Sequence, residues 1–318
     1  MNKLVTVIGG ANMDINGFSV DPLNMADSNP GRVEYCPGGV GRNIAENLHR
    51  LGADVRFIGI IGDDPGGIFI RNSSKRMGLN IEHSLFLKSE TQVTSVYIAL
   101  MDSNGEMKLA LADMNIMEQM TTEHLESKAR VIEESAIVLL DTNLPEAIIS
   151  FILDRFGGAG PLFFLDPVSA RKAPKAASRI GSFDTIKLGR MEASVLSGVE
   201  IPNVPDSGTG GALMEKLKEA ARVFIDKGVR RVFITLGKEG VFTASAAKSF
   251  FTPVRYVQPH NTSGGGDAFM AGIVYGTLHG WDEERIVSFS LAVARITVHS
   301  KTTVSPELCL SLVEKELL

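Results

Sequence analysis

The sequence predicts an α/β fold with a mostly parallel central sheet covered by helices on both faces. From residue 120 onward, continuous apolar runs of strand length alternate with amphipathic helical runs, the pattern of strands buried on both sides. The chain opens with another such run, Leu4-Val5-Thr6-Val7-Ile8, closed by Gly9-Gly10. Near the other end, Asn261-Thr262-Ser263-Gly264-Gly265-Gly266-Asp267 leads into a run with Phe269, Ile273, Val274 and Leu278 on one helical face.

The 318 residues suffice for one large α/β domain or two small ones. Hydrophobic residues make up 44% and charged residues 22%, which suits a soluble globular chain. A net charge of −5 argues against a general nucleic-acid binder. Two cysteines, Cys36 and Cys309, make no disulfide framework and suit a reducing compartment. The first residues run straight into a strand without a signal-peptide core, and no apolar run reaches membrane-spanning length. The expected location is cytoplasmic, with no membrane partner.

Taken in order, the first strand is followed by Ala11-Asn12-Met13-Asp14, polar groups just past a buried strand end, where open α/β sheets bind ligands. Residues 15–37 are rich in turn formers, with a short strand-like piece at 32–36. Pro37-Gly38-Gly39-Val40-Gly41-Arg42-Asn43 then opens a helix with Ile44, Leu48 and Leu51 on one face, ended by Gly52. A strand at 54–60, a loop through Gly62-Asp63-Asp64-Pro65-Gly66-Gly67 and a helix at 68–77 follow. Residues 91–101 and 106–112 read as strands joined by the hairpin turn Asp102-Ser103-Asn104-Gly105, with Asp113-Met114-Asn115 after them.

The alternating part comprises helix 122–134 and strand 136–140, helix 145–156 and strand 162–165, strand 183–188 and helix 190–196, then helix 211–227 and strand 231–236. A hairpin at 241–244 and 250–252 and a helix at 282–300 complete the chain. Asp141, Asn143 and Asp166 all fall at or just past strand ends, on the edge where a site belongs. Trp281, the only tryptophan, reads as packing.

Three consecutive glycines let backbone N–H groups approach a ligand without Cβ obstruction. A glycine turn that opens a helix is an anion site, because unpaired N–H groups and the positive helix end point the same way. Asp267, in the first helical turn, is placed either to cap the helix or to take a proton from a hydroxyl attacking a phosphate held there. The chain has no Gly-x-x-x-x-Gly-Lys-Ser/Thr loop. Gly39 and Gly41 lack the third glycine of a dinucleotide fingerprint, Ile44 standing in its place, which excludes a dehydrogenase of that type.

The glycine stretch resembles the C-terminal signature of the ribokinase-like (PfkB) carbohydrate kinases, Asp-Thr-x-Gly-Ala-Gly-Asp, with Asn261 in place of its first aspartate and Gly265 in place of its alanine. Further resemblances occur in family order. They are Asn12-x-Asp14, Gly38-Gly39-x-x-x-Asn43, Lys187-Leu188-Gly189-Arg190-Met191-Glu192 and Thr235-Leu236-Gly237-Lys238-Glu239-Gly240. The third of these has Gly189 where the family has asparagine.

The resemblance implies one ribokinase-like domain over residues 1–318, a three-layer α/β/α sandwich with a small β-sheet lid formed by segments near 15–37 and 91–113. It implies ATP and Mg2+ as cofactors. Asp267 becomes the catalytic base and Gly264, Gly265 and Gly266 the anion hole. Asn12, Asp14, Gly38, Gly39, Asn43, Asn143 and Asp113 would bind the acceptor. Lys187, Glu192, Thr235, Gly237, Gly240 and Gly264 would bind ATP, with Glu192 reaching Mg2+ through water. Asn261 and Ser263 would form a monovalent-cation site, weak for K+ because asparagine replaces a charged ligand. A homodimer through the lid completes the implied picture.

Several stretches, among them 27–31, 37–45, 105–107, 113–116 and 166–169, are closer to the pseudouridine kinase branch than to ribokinases. The branch implies phosphorylation of the ribose 5′-hydroxyl of pseudouridine, with Asn29 or residues near Asp113 as candidate base contacts. Another sugar or nucleoside kinase of the same fold, or a non-catalytic nucleotide-binding protein, is the alternative. A substrate panel separates the first, and the intact Asp267 argues against the second.

Overall fold

Eight strands lie in the spatial order Ser249–Pro253, Gly240–Ser245, Arg231–Thr235, Thr185–Gly189, Leu162–Asp166, Ile137–Asp141, Val5–Ile8 and Val55–Ile58. The last six are mutually parallel, and the first two form an antiparallel hairpin on the edge. This computed structural model describes residues 3–158, 160–203, 210–254 and 263–317. Alternate side chains of each strand enter opposite cores. Ile8, Val138, Leu140, Leu165, Ile186 and Ile234 lie in one core, and Val5, Val7, Leu139, Phe164 and Phe233 in the other. Helices cover both faces, which gives three layers.

The helix Gly265–Leu278 sits in the middle of the second core. Nine of its residues are buried, so it is apolar nearly all round. It packs on Glu283–Val298 and on Val40–Arg50. Its N-terminus therefore has a fixed position relative to the sheet edge, and that edge is where the polar strand ends gather.

A second sheet stands apart, with strand order Gly31–Gly38, Asn12–Ser19, Val96–Met101 and Met107–Asp113. The first two strands pair antiparallel from Asn12 opposite Gly38 to Ser19 opposite Gly31. The strand Asn12–Ser19 starts earlier than residues 15–37 suggested, so Asn12 and Asp14 lie on a strand of this small sheet and not in a loop. Other elements also differ from the sequence expectations. Residues 54–60 divide at Gly59 into Val55–Ile58 and Ile60–Gly62, and the second piece pairs with Leu85–Leu87. Residues 122–134 form two short helices, Thr122–Glu126 and Ala129–Glu133. A 3-10 helix at Ala173–Ser182 and a final helix at Leu310–Leu317 were not anticipated. No helix among the described residues is long and apolar enough to cross a membrane.

Gly272 is where the central helix approaches its neighbour, and a Cβ there would lie 2.5 Å from Ser290 Cα and 2.8 Å from Ser290 Cβ. Gly272→Val is expected to cost about 1–3 kcal/mol of stability by overpacking, read as a lower melting temperature. An unchanged melting temperature would show that the two helices part at that point without cost.

Candidate active site

Asp267 is the third residue of the Gly265–Leu278 helix, but its side chain does not cap that helix. Instead its Oδ2 accepts a hydrogen bond of 2.9 Å from Asn43 Nδ2. The carboxylate is thus directed to a neighbouring helix rather than to its own helix end. The carboxylate is packed deep among protein atoms while keeping one water-accessible side. Burial first, and then the charge of Asp166, push its carboxyl up to about 7, while Lys187 and Asn43 pull the other way.

Lys187 Nζ pairs with Asp166 Oδ2 at 2.6 Å, and both side chains are buried. Burial works against the ammonium, but the carboxylates of Asp166, Asp267 and Glu192 outweigh it and hold the group above its ordinary value. A Cβ on Gly266 would lie 3.3 Å from Lys187 Nζ, so the ammonium stands directly against the glycine backbone. Gly264, just before the helix, has φ +82°, and a side chain there would strike the Thr303 carbonyl. Only glycine fits that turn. The first N–H groups of the helix, the helix dipole and Lys187 together make a site for an anion beside a carboxylate that can accept a proton.

Across from this site, the lid strand Asn12–Ser19 presents Asp14. Burial pushes its carboxyl up to about 6, opposed by the Asn12 side chain, which donates to Oδ1, and by the charge of Arg42. Gly38 lies directly beside the Asp14 carboxylate, and Gly39 closes on the Gly10 carbonyl with φ +97°. Asn143 borders Gly10 and accepts a 2.5 Å hydrogen bond from Lys172 Nζ. Burial lowers the Lys172 ammonium from its ordinary value. Sequence reasoning passed over Lys172. Its position depends on the loop after Asp166, where Val168 adopts φ +61°, a strained angle for a β-branched residue. Hydrogen bonds from Thr142 Oγ1 to the Pro167 carbonyl and from the Val168 N–H to Asp166 Oδ1 hold that loop.

On the other side of Lys187, a cleft of about 480 Å3 is lined by Arg190, Glu192, Thr235, Gly237 and Lys238 among others. Arg190 ties its walls together, reaching Glu239, Asn203 Oδ1 and the Pro202 carbonyl. Gly189 has a local reason: a Cβ there would collide with the Glu192 carboxylate. The asparagine of the resembling motif is absent, and Glu192 folds over the vacated backbone. Among the described residues no three His, Cys, Asp or Glu side chains gather as a metal cage. A single carboxylate beside a cleft nevertheless suits Mg2+, which keeps several waters and takes further ligands from phosphates.

The structure thus brings together Asp14, Asn12, Gly38, Gly39, Asn43, Asn143, Lys187 and Gly264 to Asp267, with Glu192, Thr235 and Gly237 in the adjoining cleft. Gly240 stands outside that lining, packed against Phe251 and the Thr252 carbonyl. Asp113 ends an exposed lid strand, where it accepts from Asn115. Asn29 uses its amide within its own loop, bonding Asn24 and Asp27. Ser263 is exposed beside the glycine turn, and Asn261 lies outside the described residues.

Residues 2–308 match the model of the pfkB family carbohydrate kinases. The chain belongs to the pfkB family. Among curated relatives, it is 33% identical to pseudouridine kinase of Escherichia coli, over 96% of this chain and 94% of that protein. It is 27% identical to ribokinase of Haemophilus influenzae, over 95% and 94% of the two chains. Among solved structures, a Clostridium perfringens protein described as a sugar kinase superposes with a TM-score of 0.84 at 33% identity, over 100% of this chain and 96% of that one. Arabidopsis thaliana ribokinase, solved with ribose and ATP, superposes with a TM-score of 0.80 at 20% identity, over 100% and 99%. The ribokinase-like three-layer fold with its small second sheet is shared across this pfkB group.

The carboxyl of Asp267, followed by carbon NMR, is expected to titrate near 7. In Asn43→Ala the midpoint should rise further, because the lost hydrogen bond favoured the charged form. A midpoint in the ordinary aspartate range, near 4, would show that the surrounding carboxylates and burial do not act on Asp267 as described.

Proposed function

We propose that this pfkB-family chain transfers the γ-phosphoryl group of ATP to the ribose 5′-hydroxyl of pseudouridine, giving pseudouridine 5′-phosphate and ADP. The observation that carries the phosphoryl-transfer part is Asp267. It is a carboxylate with its pKa raised to about 7, at the start of the glycine-opened helix, facing Asn43 and not its own backbone. A base with a pKa near the working pH is suited to accept a hydroxyl proton and later release it. In this reading Asp14 and Asn43 hold ribose hydroxyls, and Asp267 takes the 5′-proton as the oxygen attacks in line. The N–H groups after Gly264, with Lys187, stabilise the charge that develops on the transferred group.

In this reading ATP would lie toward the cleft of Glu192, Thr235 and Gly237. Glu192, through water, would hold the Mg2+ that neutralises phosphate charge. The choice of pseudouridine rests on the 33% identity to the Escherichia coli enzyme and on the matching stretches at 37–45 and 166–169. Asn29 and Asp113 make hydrogen bonds within their own loops, and Asn143 and Lys172, bonded to each other beside Gly10, are further candidates for contacts with the base in this reading. An acceptor site that bonds the extra ring N–H of pseudouridine would reject uridine by leaving buried groups unpaired. The reading carries with it a cytoplasmic location, where ATP is available.

The decisive experiment is a panel of pseudouridine, uridine, ribose and purine nucleosides with ATP, run on the native protein and on Asp267→Asn. Pseudouridine is expected to have the highest kcat/KM, and the variant to lose at least ~10²-fold in kcat while still binding both substrates. The native kcat/KM should fall as pH drops below about 7, since protonation removes the base. A preference for ribose or uridine would overturn the substrate assignment alone. Native-like turnover by Asp267→Asn would overturn the mechanism.

The lid is proposed to pair with the lid of a second copy. Its edge strand Met107–Asp113 is exposed at all seven positions, with Met107, Leu109 and Leu111 on one face. An open apolar edge of this kind is a template for strand pairing. Sedimentation should show a dimer that Leu109→Lys with Leu111→Lys converts to monomer. A monomeric native protein at micromolar concentration would remove the proposal.

A further inference from the structure

The side chain of Arg42 is 1% exposed, beneath the acceptor side of the site. It extends from the helix Val40–Arg50, and its guanidinium makes three contacts. Nη2 bonds Glu46 Oε2 at 2.6 Å, and Nη1 bonds the Pro37 carbonyl at 3.2 Å and Asn43 Oδ1 at 3.3 Å. Glu46 is itself fixed through its other oxygen by Arg50, at 2.9 Å from Nε and 2.8 Å from Nη2. Arg50 Nη1 then reaches the Pro306 carbonyl at 2.8 Å. Residues 42, 46 and 50 recur at four-residue spacing, which puts them on one helical face.

A buried ion pair is weak support for stability, since an apolar replacement of similar volume is often as stable. Its placement here suggests another use. The two ends of an asparagine amide have nearly the same shape and opposite hydrogen-bonding character. With Oδ1 accepting from Arg42, Asn43 turns Nδ2 toward Asp267, where it donates at 2.9 Å. A flipped amide would set its oxygen against the Asp267 carboxylate and its NH2 against the guanidinium. Arg42 therefore selects one of two otherwise similar states. The Pro37 carbonyl adds a second link, because Pro37 lies on the lid strand one residue from Cys36, the register partner of Asp14.

We propose that Arg42 is a positioning residue for phosphoryl transfer: it orients the Asn43 amide toward Asp267 and fastens the root of the lid strand that pairs with the strand bearing Asp14. The proposal rests on the assignment of Asp267 as base. Its electrostatic side is consistent with that geometry. Asp14 is faced by Asn12 on its own strand, Cys36 on the neighbouring strand and Arg42 from the helix. Asp267 is faced by Asn43, Lys187, Asp166 and Asp141. Among the groups around Asp14, Arg42 is the cation that favours its charged form.

The test compares native protein with Arg42→Gln/Glu46→Gln, which removes both charges together, and with Arg42→Lys, which keeps a charge without the planar fork. For the double variant, kcat is expected to fall ~10- to 100-fold, the scale of a misplaced catalytic group. KM for ATP should hold, and the acid limb of the pH–rate profile should move to higher pH. Arg42→Lys should lose kcat and move the acid limb in the same direction by a smaller amount, since it frees the Asn43 amide but keeps a positive charge beside Asp14. Native kcat together with a native acid limb in a folded double variant would overturn the proposal. If the double variant does not fold, native kcat in Arg42→Lys overturns it instead. Failure of the underlying assignment is read separately, as native-like turnover by Asp267→Asn with Arg42 intact.

Discussion

The site hangs on the buried carboxylate of Asp141. One of its oxygens accepts from the Gly10 N–H at 2.9 Å and the Gly41 N–H at 2.7 Å, and the other from the Asn143 N–H at 2.8 Å. Burial pushes this carboxyl up, against three N–H donors that favour its charged form. An anion in the interior is costly unless its lone pairs are met, and here the backbone meets them. The three donors belong to the turn leading into the lid, to the start of the Val40–Arg50 helix and to the end of a central strand. Asp14, Asn43 and Asn143 are thereby all referenced to one group. Gly9 and Gly41 press so closely on it that a Cβ at either would meet its oxygens.

The central sheet was legible because its strands are buried on both faces and read as unbroken apolar runs bounded by glycines and helices. Asn12–Ser19 was not, because every residue after Asn12 is only half-buried and the segment carries no clean alternation. The split at Gly59 escaped notice for a related reason: two apolar strand pieces that serve different sheets look like one run. The place of Asp267 in the first turn of a buried helix was legible from three preceding glycines. The places of Arg42 and Lys172 were not, since one bonds a neighbour on its own helix and the other is set by a loop held at an unusual backbone angle. Neither arrangement leaves a spacing in the sequence. Asn29 and Asp113 show the converse. They were chosen from local resemblance, and their hydrogen bonds are local too.

Gly189 illustrates how a departure from a family motif is absorbed. The lost asparagine leaves a gap in the list of motif residues but none in space, because Glu192 lies over the bare backbone. The carboxylate stays beside the cleft shared with Thr235 and Gly237. Within this pfkB chain the motif is thus altered in composition, and its acidic group lines the cleft from the first turn of the helix Arg190–Ser197.

Asp14 stands only six residues beyond the end of the first central strand, yet it belongs to the small sheet. In the proposed reading of Asp14, the grip on an acceptor and the cover over it are one piece of chain. Free energy contributed by an acceptor at Asp14 would be felt by all four strands of that sheet, making affinity and enclosure a single linked equilibrium. Water, which has nothing to offer Asp14 beyond what bulk solvent already supplies, would gain no such enclosure. Under that proposal, discrimination between transfer and wasteful hydrolysis would be set by connectivity, before any contact with the phosphate is made.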